Sequence, residues 1–299
     1  MKRLFFSIFT LSVVFLMVSC KGNKSEQEGE VQKNKKTKTT SIEKPKPPKN
    51  EGMIRLLFVG NSHTEYFISL PDIMETLCKE NNKSVEIAKL VEMGIDISEI
   101  LDANSAVLDE YFSISDPDGN YFDYVILQEK TPVAIMNLND YKENCKNVVD
   151  LVLKNSPEAA IYIYELMPPT NFKNKTEFRT YKDKLSKNAT EVAKSLPNSG
   201  VLPLGSAVSD AYDGKEGYVA IKDGKDLLRH IDQSHHILND AGFLNSIIIY
   251  ETIYGEEPKI PTMLPLSTGT GDYDPITLQE VNTAISNPET LLKIAAKYK

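Results

Sequence analysis

Few residues in this chain could do covalent chemistry, and they fall in two places. GNSHT puts Ser62 directly after a hydrophobic run of strand length, residues 54–59. A serine where a strand turns into a helix exposes its hydroxyl at the sheet edge, and its own N–H lies at the positive end of the helix. Ser62 is therefore a candidate nucleophile; the plainer role for such a serine is a helix N-cap. A nucleophilic serine needs a base, and the chain has four histidines, His63, His230, His235 and His236. Three of them lie in RHIDQSHHILNDAGF, where Asp232 and His235 have the spacing Asp-x-x-His. Within one loop turn that spacing lets a carboxylate hold one imidazole nitrogen while the other faces the serine. The plainer reading is a polar loop with Asn239 capping the next helix. His230, Asp232, His235 and His236 are also donor types for a metal ion, a lesser alternative. The segment around Ser62 is not GxGxxG and no GK[ST] follows, so nucleotide binding has little support.

Positioning these residues requires a scaffold, and its elements can be read in the hydrophobic pattern. Strand-length apolar runs at residues 54–59, 85–90, 124–128, 160–166 and 200–204 alternate with amphipathic stretches. The stretches cover 68–81, 97–111, 141–155, 175–195, 206–212 and 239–254. Short, continuously hydrophobic strands separated by helices call for a parallel sheet covered on both faces. Right-handed crossovers then give a three-layer α/β/α sandwich with a five-stranded parallel sheet. Ligands in such sheets bind beyond the carboxyl ends of the strands. That rim carries Ser62, His63, Glu129 and Glu165; for the two glutamates and His63 an ordinary structural or solvent role is the simpler expectation.

The 299 residues include 34 Lys+Arg and 42 Asp+Glu, and the net charge of −8 is unevenly spread. Residues 1–20 carry +2 and residues 21–52 carry +4, which leaves −14 on residues 53–299. So acidic a domain repels phosphate backbones, and nucleic acid is not an expected partner. Residues 1–19 combine a basic start with an apolar run too short to span a bilayer, the order of parts in a secretory signal peptide. The Val-Ser-Cys ending resembles a bacterial lipobox, which implies diacylation of Cys20 and a lipid anchor. Residues 20–52 have almost no apolar side chains and are expected to be a flexible lipidated tether, followed by one domain over 53–299. Cys78 and Cys145 could pair in an oxidising envelope or remain buried free thiols.

Taken in order, Gly60-Asn61-Ser62, Gly94, the VILQE run at 125–129 and Asp232-Gln-Ser-His235 resemble the blocks of the SGNH (GDSL-like) hydrolase superfamily. GNSHT, DYVILQE and GVLPLGSA resemble more narrowly an uncharacterised bacterial subgroup common among lipoproteins. The resemblance implies a flavodoxin-like SGNH fold and a serine ester hydrolase acting through an acyl-enzyme. Ser62 would be the nucleophile, His235 the general base and Asp232 its orienting partner, with His236 as the alternative base. The oxyanion hole would consist of the N–H groups of Ser62 and Gly94 and the side-chain amide of Gln128, standing where the family has an asparagine. Asn61 replaces the usual aspartate. The resemblance further implies removal of a short acyl group such as acetyl from a carbohydrate or related envelope ester, with no cofactor, metal or protein partner. The expected location is the bacterial cell envelope, held to the membrane by the lipid anchor alone. A non-catalytic ligand-binding lipoprotein on the same fold is the alternative.

Overall fold

The computed structural model describes residues 44–50, 52–114, 121–170, 172–230, 236–268 and 275–299. The central sheet is built from β1 (Ile54–Gly60), β2 (Val85–Val91), β3 (Tyr124–Leu127), β4 (Ala160–Tyr164) and β5 (Ser199–Leu202). All four pairings are parallel and the spatial order is β2-β1-β3-β4-β5. This is the doubly wound order whose direction of winding reverses between β1 and β3, and a ligand crevice belongs at that reversal. The five-stranded parallel sheet with helical layers is the architecture expected from the sequence. The strands lying inside the sheet read as unbroken apolar runs because helices cover both faces: every residue of Tyr124–Leu127 and Ala160–Tyr164 is buried.

The connecting helices are α1 (Leu70–Glu80), α2 (Ile97–Ala103), α3 (Ser105–Ser113), α4 (Thr131–Met136), α5 (Leu138–Val152), α6 (Lys175–Ala193) and α7 (Leu204–Tyr212). The single helix expected over 97–111 is two, broken at Asn104, whose side-chain amide donates to Ile100 O (2.8 Å). A small hairpin follows, β6 (Ile221–Lys222) with β7 (Lys225–Asp226), then α8 (Asn239–Tyr254). Residues 239–251 of α8 are all buried, which marks a helix packed on every side. Its neighbours include α1, α7 and the C-terminal α10 (Pro288–Ala295). A second hairpin, β8 (Met263–Ser267) with β9 (Ile276–Glu280), and the short α9 (Val281–Ala284) complete the layer.

Asn239 was expected to cap α8, but the cap position is Leu238. The Asn239 amide instead pairs both ways with Ser267 of β8, donating to its carbonyl (2.9 Å) and accepting from its N–H (3.0 Å). The expected boundary between tether and domain at residue 52 also differs from what is seen. Pro45 is buried, and a Cβ on Gly200 would stand 2.7 Å from its ring. Asn198 accepts from Lys46 N (2.7 Å) and donates to Lys46 O (3.2 Å). Residues 44–50 therefore dock at the amino ends of β4 and β5, and the domain begins before residue 53. The expected signal peptide, Cys20 and most of the tether lie outside the described residues. Cys78 and Cys145 are buried free thiols on α1 and α5.

Candidate active site

Ser62 occupies a tight turn at the end of β1. The carbonyl of Asn61 accepts from the N–H of Thr64 (2.8 Å) and of Glu65 (3.2 Å), which winds residues 61–65 into a helical turn with Ser62 at its start. Its hydroxyl is half-buried and lies 3.0 Å from Nε2 of His236, a contact between residues 174 positions apart. The histidine arrives on a ribbon. His230 N donates to His236 O (3.0 Å), Leu238 N donates to Leu228 O (3.0 Å), and Arg229 faces Ile237 in an antiparallel bridge. Asp226 braces this stem by accepting from the N–H groups of Leu228 (3.0 Å) and Arg229 (3.2 Å), while Arg229 Nη2 reaches Pro168 O beyond β4 (2.7 Å). Two residues past His236, the chain enters the buried helix α8.

Aromatic rings fix the imidazole laterally. The centroids of Tyr66, Phe67 and His63 lie 5.3, 5.5 and 5.5 Å from that of His236. His230 stacks on Phe67 at 3.6 Å and 9°. His63 is buried rather than solvent-facing, and its Nε2 lies 3.1 Å from Thr131 Oγ1 at the start of α4.

Beneath Ser62, a buried polar network joins the ends of β1, β2 and β3. Gln128 Oε1 accepts from Asn61 N (2.8 Å) and Thr64 Oγ1 (3.0 Å). A backbone N–H can only donate, so the orientation of the amide is fixed. The Gln128 Nε2 then donates to Asn61 Oδ1 (3.0 Å) and Glu129 O (2.6 Å). Gly60 makes room for this: a Cβ there would lie 2.5 Å from Thr64 Oγ1 and 2.7 Å from Gln128 Oε1. Asn61 Nδ2 donates to Ile95 O (2.9 Å), a bond the usual aspartate could not make, and so ties the serine turn to the turn after β2. Gly94 in that turn has φ +75°, left-handed backbone that glycine adopts without strain.

Ser62 and Gly94 both stand at strand ends, and neither backbone N–H has a hydrogen-bond partner among the described residues. Gln128 differs from its expected role. With no exposure and both amide hydrogens already donated, it has none to offer an oxyanion and instead supports the turn from below. The extra methylene relative to asparagine lets its amide fold back under Asn61. Asp232 and His235 lie outside the described residues. Of the four residues weighed for a metal, the two that are described are engaged otherwise, His230 on Phe67 and His236 on Ser62. The register Asp-x-x-His favours His235, with His236 as the alternative base; of the two, His236 is described, and it is the one that lies against Ser62.

The two glutamates on the rim are interior groups. Glu129 is fully buried, with hydrogen bonds from Lys130 N (2.6 Å), Ile97 N (3.3 Å) and Asn144 Nδ2 (2.9 Å). Burial pushes its carboxyl up to about 7 against the pull of those donors. Glu165 is likewise buried and lifted to about 7, and it accepts from Ser206 Oγ (2.8 Å) in the seam between β4 and α7.

No family model and no curated protein matches the sequence. Among solved structures, a DUF4886 family protein from Bacteroides uniformis shares 13% identity at a TM-score of 0.57, covering 82% of this chain and 94% of its own. A lipase/acylhydrolase from Enterococcus faecalis shares 17% identity at a TM-score of 0.46, covering 70% and 100%. An acetyl xylan esterase from Geobacillus stearothermophilus shares 15% at 0.45, covering 70% and 99%. The first of these likenesses extends over most of both chains and is a likeness of fold.

Proposed function

We propose that the chain is a serine ester hydrolase in which Ser62 attacks the acyl carbonyl and His236 takes its proton. The observation that carries this reading is the 3.0 Å contact between Ser62 Oγ and His236 Nε2, made at the crevice where the sheet's winding reverses. As the serine adds to the carbonyl, the proton passes to Nε2 and the carbonyl oxygen gains charge. The N–H groups of Ser62 and Gly94 are the donors proposed to receive that charge. His236 then returns the proton to the departing alkoxide, and water repeats the sequence on the acyl-enzyme. Asp232, four residues before His236 in the sequence, is the carboxylate proposed to orient the imidazole.

The substrate we favour carries a short acyl group such as acetyl on a carbohydrate or related envelope ester. Tyr66, half-buried beside the imidazole with ring centroids 5.3 Å apart, is the aromatic side chain we propose to border the bound alcohol. The proposed location is the bacterial envelope, through lipidated Cys20; no helix among the described residues is long and apolar enough to cross a membrane.

A fluorophosphonate probe tests the reading. It is expected to label the wild-type chain once and to leave Ser62→Ala unlabelled. Equal labelling of both, or labelling of neither, would return the chain to the alternative of a ligand-binding lipoprotein. Hydrolysis that survives exhaustive EDTA treatment separates this mechanism from one built on a metal at the histidine cluster.

A further inference from the structure

Glu129 has no part in the proton transfers above, yet it is a fully buried carboxylate one residue from the network that supports Ser62. Its Oε1 accepts from Ile97 N, and Ile97 is the first residue of α2. The bond therefore holds the far end of the turn over residues 92–96 that carries Gly94. At the near end Glu92 N donates to Gly60 O (3.1 Å), and in the middle Ile95 O accepts from Asn61 Nδ2 (2.9 Å). Two of these three anchors come from the end of β1, and Glu129 supplies the one from β3. The carboxylate is itself held, because Lys130 N donates to Oε1 and Asn144 Nδ2 on α5 donates to Oε2. A carboxyl group buried this completely is costly unless it is hydrogen-bonded, and here both oxygens accept.

The geometry points to Glu129 as the positioning residue of the oxyanion hole, fixing the turn so that Gly94 N–H stands where charge develops on the substrate. The chemical part rests on the ester-hydrolase reading; the mechanical part rests on the hydrogen bonds alone. Glu129 touches no reacting atom. It acts through Ile97, and its loss would leave Ser62 and His236 in place while the turn loosens.

The test uses the full chain with p-nitrophenyl acetate, together with amide hydrogen exchange over residues 92–97. Glu129→Ala is expected to lower kcat about 100-fold, as loss of one oxyanion donor does, with KM within ~3-fold of wild type. Exchange over 92–97 should quicken while β1 and α8 keep their protection. Glu129→Gln keeps an oxygen for the N–H groups of Ile97 and Lys130 and is expected to recover most of the loss. Unchanged kcat in Glu129→Ala, or Glu129→Gln as impaired as Glu129→Ala, would overturn the role. Asn144→Ala removes only the donor on Oε2 and stands in if Glu129→Ala does not fold. Faster exchange over 92–97 with kcat reduced roughly 5-fold supports the role, and wild-type values of both overturn it. If wild type neither reacts with a fluorophosphonate nor hydrolyses the ester, the hydrolase reading fails, while the exchange arm still reports whether Glu129 holds the turn.

Discussion

Nε2 of His236 lies 3.0 Å from Ser62 Oγ, with the rings of Tyr66, Phe67 and His63 packed about the imidazole, so the two histidines at 235 and 236 should behave unequally. His236→Ala is expected to lower kcat by ~10³-fold, the range for removing a general base, and His235→Ala by much less. Steady-state kinetics on p-nitrophenyl acetate checks the order, and the reverse order would move the base to His235. Gly60 gives a second prediction at this scale. An added Cβ would press on Thr64 Oγ1 and Gln128 Oε1, both held in place by the serine turn. Overpacking a rigid site typically costs ~1–3 kcal/mol, so Gly60→Ala should lower the urea midpoint and weaken fluorophosphonate labelling together. A midpoint equal to wild type would mean that the turn can move aside.

The ribbon carrying His236 is only as rigid as what it joins, and that is α8. Asn239, at the first turn of α8, is stitched to β8 by two reciprocal hydrogen bonds, and its replacement by alanine would leave a buried N–H and a buried C=O of Ser267 without that partner. Loss of two buried hydrogen bonds, at ~0.5–1.5 kcal/mol each, predicts a loss of stability for Asn239→Ala in urea denaturation, with a fall in kcat as the ribbon loosens. Helices and strands of this kind were legible in sequence because their patterns are strong. The five sheet strands lie within a few residues of their expected ranges, and the span of α8 is as expected, since a nearly continuous apolar helix cannot be mistaken for a loop. The C-terminal hairpin was not read: in β9 the apolar-polar alternation spans only Ile276 to Gln279, and its Leu278 is exposed rather than packed on the core. At the site, Ser62 as a candidate was read from its place after a strand, and Gly94 only from the family resemblance. The inward turn of Gln128 was not legible, because a side-chain amide shows its partners only once the backbone around it is folded.

Burial of acids shapes the behaviour of the whole domain. Glu129, Glu165 and Asp240 all have carboxyls lifted to about 7 by burial, from ordinary values of 4.5, 4.5 and 3.8. Between those values and about 7 the folded chain keeps protons that the unfolded chain has released. Folding therefore binds protons in that window, and stability falls as pH rises through it, by up to ~1.4 kcal/mol per pH unit for each group. Above about 7 the effect is complete and the curve levels. Urea midpoints at pH 5, 6, 7 and 8 should decline in that order and then flatten, and Glu129→Gln should reduce the slope; midpoints that rise with pH would contradict the burial of these groups. The docking of residues 44–50 has a mechanical consequence. Pro45 and Lys46 grip β5 at its amino end, whereas Ser62 and His236 sit at the carboxyl ends of the strands. A pull applied at Lys46 therefore loads Asn198 and Gly200 first, at the opposite ends of the sheet strands from Ser62 and His236.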